Sequence, residues 1–294
     1  MSRFLVLKRG LALVMVFAGL CGFSVKGRAG IIIPGNEAAH IAFAADPIFQ
    51  SVGWVSGFDG SQWFTVGSGV LIDQEWVMLT GHELTTFGYS TYRFSLGPSV
   101  FQPNTGRSVA SSYFVAGSGG NFFNPDLGLL QLSTPITTVT PATVYQGNDL
   151  AEGMRVVFAG YGRLGYYPSG ELAFDGVKRA GENVIENIGP TAGIAADRID
   201  WDFGPAYGTS SLPLEMTASN FDSGSGAFAF IDGEWQLVGI VAQGAPLRYT
   251  VAVRPSAYTS WTNEIIGVPE PSSFMLALTG AAGAWMITRM RRRT

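Results

Sequence analysis

Two histidines occur in the 294-residue chain, His40 and His82. A neutral imidazole is the side chain best suited to take up a proton near pH 7, so hydrolytic chemistry on a serine hydroxyl must run through one of them. His82 closes the stretch Gly67-Ser68-Gly69-Val70-Leu71-Ile72-Asp73-Gln74-Glu75-Trp76-Val77-Met78-Leu79-Thr80-Gly81-His82. That stretch reads as a strand, a turn, a second strand and then a His just past its end. His40, within 36–43, has no such setting and reads as an ordinary surface or core residue. A carboxylate stands at the mouth of an apolar strand in Asn124-Pro125-Asp126-Leu127-Gly128-Leu129-Leu130-Gln131-Leu132. If buried there, Asp126 can accept an imidazole Nδ1–H, fix its tautomer and stabilise the imidazolium; as a plain strand-start acid it would do none of this. The Gly/Ser-rich run Asn220-Phe221-Asp222-Ser223-Gly224-Ser225-Gly226-Ala227-Phe228 offers two hydroxyls, Ser223 and Ser225, and would otherwise be a turn.

Positioning such groups is a task for the elements around them. Between about Gly30 and Ile266 short apolar runs alternate with Gly-rich turns. Strands are predicted over 51–58, 63–72, 92–96, 108–115, 127–132, 155–161, 227–231, 235–242 and 249–254. Asp232-Gly233-Glu234 is a tight hairpin signal between two of them. Residues 256–266 form one amphipathic helical run, with Tyr258, Trp261 and Ile265 on one face. With no repeat of fixed period and no internal linker, the body is a single β unit or two fused β barrels.

Composition narrows the class. The chain is 47% hydrophobic and 14% charged, which suits a globular body with a sizeable core. Its net charge of −4 hides an asymmetry: residues 1–29 hold five Lys/Arg and no acids, and 267–294 hold four Arg and one Glu. What lies between has nine basic and 21 acidic residues, a balance that repels phosphates and excludes a nucleic-acid partner. The single cysteine, Cys21, lies near the N-terminus, so the body has no internal disulfide and depends on its core.

The ends read as addresses. Arg3, Lys8 and Arg9 precede the apolar run 11–23, and Gly27-Arg28-Ala29 places small residues as a cleavage site requires; residues 1–29 are therefore predicted to be an export signal. Val268-Pro269-Glu270-Pro271 is followed by the apolar stretch 272–288 and by Arg289, Arg291, Arg292 and Arg293. That stretch is just long enough to span a bilayer with the arginines on the cytoplasmic side. Tripeptide, span and basic cluster together resemble the PEP-CTERM sorting tail of Gram-negative bacteria. The resemblance implies a tail over 267–294 that holds the membrane before processing, an exosortase-type sorting enzyme as partner, and a final place at the cell envelope, on the surface or outside the cell.

The body carries a second resemblance. The stretch ending in Leu79-Thr80-Gly81-His82 is similar to the trypsin-family segment ending in Thr-Ala-Ala-His, with Glu83 where many relatives have a disulfide cysteine. Asp126 lies in a segment similar to the family's Asp-Ile-Ala-Leu-Leu. Asp222-Ser223-Gly224 matches part of Gly-Asp-Ser-Gly-Gly-Pro. The order His, Asp, Ser is that of the chymotrypsin type, and the separations of 44 and 97 residues suit it. The resemblance covers most of residues 50–266. It implies an all-β fold of two six-stranded antiparallel barrels with a C-terminal helix, forming a protease domain over 30–266. The implied activity is serine endopeptidase hydrolysis of a protein or peptide substrate, with no metal or cofactor. Ser223 is then the nucleophile, His82 its base and Asp126 the residue that orients the base. The backbone N–H groups around Phe221 and Ser223 are the implied oxyanion hole. Thr217 falls about where relatives line the base of the primary specificity pocket, and because it is not acidic, no preference for Arg or Lys is expected. The strand 238–244, with Ala242 and Gly244, is similar to the one that pairs with substrate backbone.

Three departures stand out. Phe221 replaces a glycine, so a turn needing φ > 0 there would be strained. Ser225-Gly226 replace Gly-Pro. Ile31-Ile32-Ile33-Pro34-Gly35 only loosely echoes the Ile-Val-Gly-Gly start whose amino terminus would pair with Asp222. The rival reading is a catalytically impaired, protease-fold binding module at the cell surface.

Overall fold

The computed structural model describes residues 30–102, 106–119, 124–190, 195–209, 211–245 and 247–267. The predicted export signal, Cys21 and the predicted tail from residue 268 onward lie outside them. Among the described residues, no helix is long and apolar enough to cross a membrane.

Six antiparallel strands close the first barrel. In neighbour order they are Val52–Phe58, Trp63–Asp73, Trp76–Leu79, Gly128–Leu132, Arg107–Phe114 and Thr91–Ser95, which pairs back with Val52–Phe58. These runs are rich in Val, Leu, Phe and Trp, and alternate side chains fill the interior with Val55, Leu71, Val77, Leu79, Phe94 and Leu130. Closure leaves no free sheet edge, so each strand finds a backbone partner on both sides.

The second half is an eight-stranded half-barrel. Its path runs Arg179–Val184, Arg155–Gly160, Gly226–Ile231, Glu234–Ala245, Tyr249–Val253, Arg198–Asp202 and Asn187–Ile188, with Thr143–Val144 pairing in parallel on Glu234–Ala245. The hairpin signal is realised as a two-residue turn in which Asp232 and Gly233 both have positive φ, 54° and 88°, matching the twist of the flanking strands. A small sheet of four short strands adds Gly30–Ile32 between Leu164–Tyr166 and Met216–Thr217. The predicted C-terminal helix begins as a 3-10 turn, Pro255–Tyr258, and continues as an α-helix over Thr259–Ile266.

One core joins the halves. Val52, Val70, Met78 and Leu129 of the barrel pack in the same buried cluster as Val157, Phe228, Leu237 and Ile240 of the half-barrel. Polar stitches cross the same boundary. The Tyr161 hydroxyl donates to Gly97 O at 2.5 Å, and the buried Lys178 Nζ donates to Phe49 O at 2.5 Å and Val52 O at 2.8 Å.

Candidate active site

His82 opens a four-residue helix, His82–Thr85, immediately after the barrel strand Trp76–Leu79. Asp126 precedes the neighbouring strand Gly128–Leu132, so pairing of these two strands sets the residues side by side. The fully buried Asp126 uses both oxygens on His82: Oδ1 accepts the backbone N–H at 2.7 Å and Oδ2 faces Nδ1 at 2.8 Å. A carboxylate accepts but does not donate, so this contact places the ring proton on Nδ1 and leaves the Nε2 lone pair free. That nitrogen lies 2.9 Å from Ser223 Oγ. Burial opposes charge on His82, but the hydrogen bond and charge of Asp126, aided by Glu83, outweigh it and raise the imidazole above its ordinary 6.5.

Ser223 belongs to the other half. Its loop is held on one side by the strand Glu234–Ala245, through Gly224 N–H to Val241 O at 2.8 Å and Val241 N–H to Ser225 O at 2.9 Å. On the other side the barrel residue Ser68 donates its N–H to Ser223 O at 2.7 Å. The turn before it is closed by Asp222 N–H donating to Ser219 O at 3.1 Å, with Phe221 third in the turn at φ +74°. A type II turn asks for φ > 0 at that place, so the expected conformation is adopted by a residue with a Cβ. Phe221 is braced by Phe174, ring centroids 5.2 Å apart, and by the Arg163 guanidinium 5.7 Å over its ring. Among the described residues, neither the Phe221 N–H nor the Ser223 N–H has a backbone partner, while those of Asp222 and Gly224 do.

Asp222 anchors this loop from inside. Its carboxylate accepts from Gly162 N–H at 2.8 Å, and from Ser219 N–H and Oγ at 2.9 Å each. Burial pushes it up to about 6. Its donors thus come from within the body of the chain.

The remaining candidates separate clearly. Ser225 is fully buried, its Oγ has no partner and it is pressed against Gly160, so it is sealed from any substrate. His40 is buried on the helix Glu37–Phe43, with Nδ1 2.8 Å from Ala180 O, far from this chemistry in both setting and partner. Thr217 is buried, its hydroxyl 2.8 Å from that of Thr250, which also accepts the Ala218 N–H at 2.9 Å. Ala242 is buried and Gly244 exposed on the long strand, which carries a bulge between Val241 and Gln243. No group of side chains able to hold a metal occurs among the described residues.

Two features escaped the sequence reading. Arg198, fully buried, acts on His82 by its charge and donates to Asn124 O at 2.5 Å. Glu83, fully buried, packs into the space beside Gly67. The one sequence signal at the second was the carboxylate directly after His82; its fit beside Gly67 shows only in the fold.

Among solved structures, the chain is similar to neuropsin, a serine protease expressed in the limbic system of mouse brain. The TM-score is 0.58 over 82% of this chain and 99% of neuropsin's, at 18% sequence identity. The fold is the chymotrypsin-like two-barrel fold. Low identity confines the likeness to architecture. No protein-family model matches the chain.

Proposed function

We propose that the protein is a serine endopeptidase. One observation carries this reading: Ser223 Oγ, His82 Nε2, His82 Nδ1 and Asp126 Oδ2 form one line of contacts at 2.9 and 2.8 Å, drawn from three distant segments. In the mechanism, Nε2 removes the Ser223 proton as Oγ attacks a peptide carbonyl, and Asp126 stabilises the imidazolium. His82 then hands the proton to the leaving amine. Water, deprotonated by the same nitrogen, releases the acyl group. The unpartnered N–H groups of Phe221 and Ser223 are suited to the oxyanion that forms between these steps. Thr217 and Thr250 bring hydroxyls and no charge to their buried site, which supports substrates without Arg or Lys at the scissile position. Ala242 and Gly244 are proposed to offer backbone to the substrate. The ends of the sequence support export, processing of the tail by an exosortase-type enzyme, and action at or beyond the cell envelope.

A fluorophosphonate probe tests the reading. Wild-type protein is expected to take the label at Ser223 and Ser223→Ala to take none. Because His82 must be neutral to act and its affinity for protons is raised, the labelling rate should reach half its plateau above pH 6.5. Absence of labelling under conditions that label a control protease overturns the proposal. The second reading, a binding module, is favoured by Phe221 at φ +74°, a conformation that is costly for a bulky side chain. It requires a folded protein that binds peptide and takes no label.

A further inference from the structure

Among the described residues, the cation acting on the Glu83 carboxyl is the imidazole next to it. Glu83 is fully buried, and one oxygen is well used: Oε2 accepts the Thr80 N–H at 3.0 Å and the Thr80 hydroxyl at 2.6 Å. The other oxygen, Oε1, is buried without a partner among the described residues. Its surroundings are the junction of the two halves. A Cβ on Gly67 would collide with Oε1, and would stand 2.9 Å from Glu83 Cδ and 2.8 Å from Ser223 O. A Cβ on Gly224 would stand 2.7 Å from Oε2. The carboxyl thus occupies room left by two glycines, one on the barrel strand and one directly after the candidate nucleophile.

We propose that Glu83 is a positioning residue whose carboxyl fills the junction behind His82 and Ser223 and, by holding or releasing its own proton, sets the proton affinity of His82.

The physical case is the cost of a lone charge. Ionised, Glu83 would leave Oε1 as an anionic acceptor in a buried niche. Protonated, it is a neutral plug. Burial accordingly pushes it up to about 7, against the opposing influence of His82 and of the Thr80 hydrogen bonds. The groups that face it are few. His82 acts on it from the same short helix and Asp126 from the neighbouring strand start, and Thr80 bonds it from the preceding loop. Tyr92, on the strand Thr91–Ser95, feels its charge, while the Gly67 and Ser223–Gly224 segments contribute backbone only. Arg198 acts on His82 from the far side with opposite sign. The protonation of Glu83 and that of His82 are therefore linked. As Glu83 loses its proton, His82 holds its own more tightly, and fewer molecules have a neutral base. The link to catalysis rests on the endopeptidase reading; the link between the two titrations does not.

The experiment separates these. In uniformly labelled protein carrying Ser223→Ala, the ring resonances of His82 and His40 are followed by NMR from pH 5 to pH 9. His40, bonded to Ala180 O, reports that the fold is intact. In the Glu83 background the His82 curve should need two inflections. In E83Q, which keeps an acceptor for Thr80, it should have one inflection, moved to lower pH by about half a unit or more, the size expected for loss of a partly ionised neighbour. A single-inflection His82 curve with Glu83 present, or an E83Q curve that superimposes on it, overturns the proposal. If E83Q does not fold, the curve with Glu83 present decides alone. Probe labelling of the Ser223 forms across the same pH range should follow the NMR shift. If neither form labels at any pH, the endopeptidase reading falls while the NMR result still judges Glu83.

Discussion

The closed barrel and the half-barrel keep their interiors in different ways. Among the described residues of the barrel, the fully buried carboxylates are Glu83 and Asp126, both at the site; apart from small hydroxyls such as Ser68 and Thr80, its interior is mainly apolar. The half-barrel buries Lys178, Arg179, Glu182, Arg198, Glu215 and Asp222. Several of these serve backbone groups that open edges and crossovers leave unpaired. Glu215 accepts from Gly204 N–H at 2.5 Å and Leu212 N–H at 2.9 Å, Glu182 from Leu214 N–H at 3.0 Å, and Asp222 from Gly162 and Ser219. A ring of strands satisfies its own ladder; an open sheet that turns corners must recruit side chains to do it. The candidate base therefore sits on a mainly apolar scaffold and the candidate nucleophile on a more polar one.

That contrast can be pressed. The largest effect is expected at Asp222→Ala, which orphans two N–H groups and a hydroxyl at once. It should cost about 3–5 kcal/mol by denaturant unfolding and lower labelling at least ~100-fold through misplacement of Ser223. Unchanged labelling would show that the polar stitches do not position the nucleophile. Leu130→Ala, in the barrel interior, should cost about 2–5 kcal/mol yet leave labelling of the folded fraction within roughly threefold. A large loss of labelling there would erase the distinction between the halves.

Lys178 gives a pH signature. Burial pushes its ammonium down to about 7 from an ordinary 10.5. The neutral amine keeps two N–H donors, matching the carbonyls of Phe49 and Val52. A depressed folded-state value means that stability is highest above about 10.5 and is lost as pH falls towards about 7. Thermal unfolding of the wild type should rise by roughly 5–10 °C between these limits, and K178M should flatten the rise. The smallest effect is expected at Phe221→Gly. It relieves a positive φ but removes the contact with Phe174, so stability should change by no more than about 1 kcal/mol. Labelling that increases more than ~10-fold would show that Phe221 distorts the oxyanion site.

The same contrast governs what could be read in the sequence. Barrel strands declare themselves by apolar alternation: the expected 51–58 and 63–72 are Val52–Phe58 and Trp63–Asp73. Arg179–Val184 and Arg198–Asp202 are absent from the expected strands, because charges interspersed among few apolar residues weaken the apolar signal. Two of the charges find remote partners: Arg179 reaches Glu37 at 2.7 Å as well as nearby Asp175 at 3.0 Å, and Glu182 reaches Arg155 at 2.5 Å. The four-stranded sheet is made of two- and three-residue strands, too short for any period to register. At the site, His82, Asp126 and Ser223 each sit in a local pattern that could be seen one at a time. The fit of Glu83 to Gly67 and Gly224 is a matter of shape between three segments, and no single stretch contains it.

The bond from Ser68 N–H to Ser223 O has a mechanical consequence. Nε2 is bolted to one half and Oγ to the other, with this contact as the hinge pin between them. Any slackening of the seam, at Phe49 against Phe228 or Trp54 against Tyr161, is transmitted as a change in the gap between Nε2 and Oγ. Residues with no reactive atoms therefore set the tolerance of that gap, and wear at the seam would shift it well before the fold itself gave way.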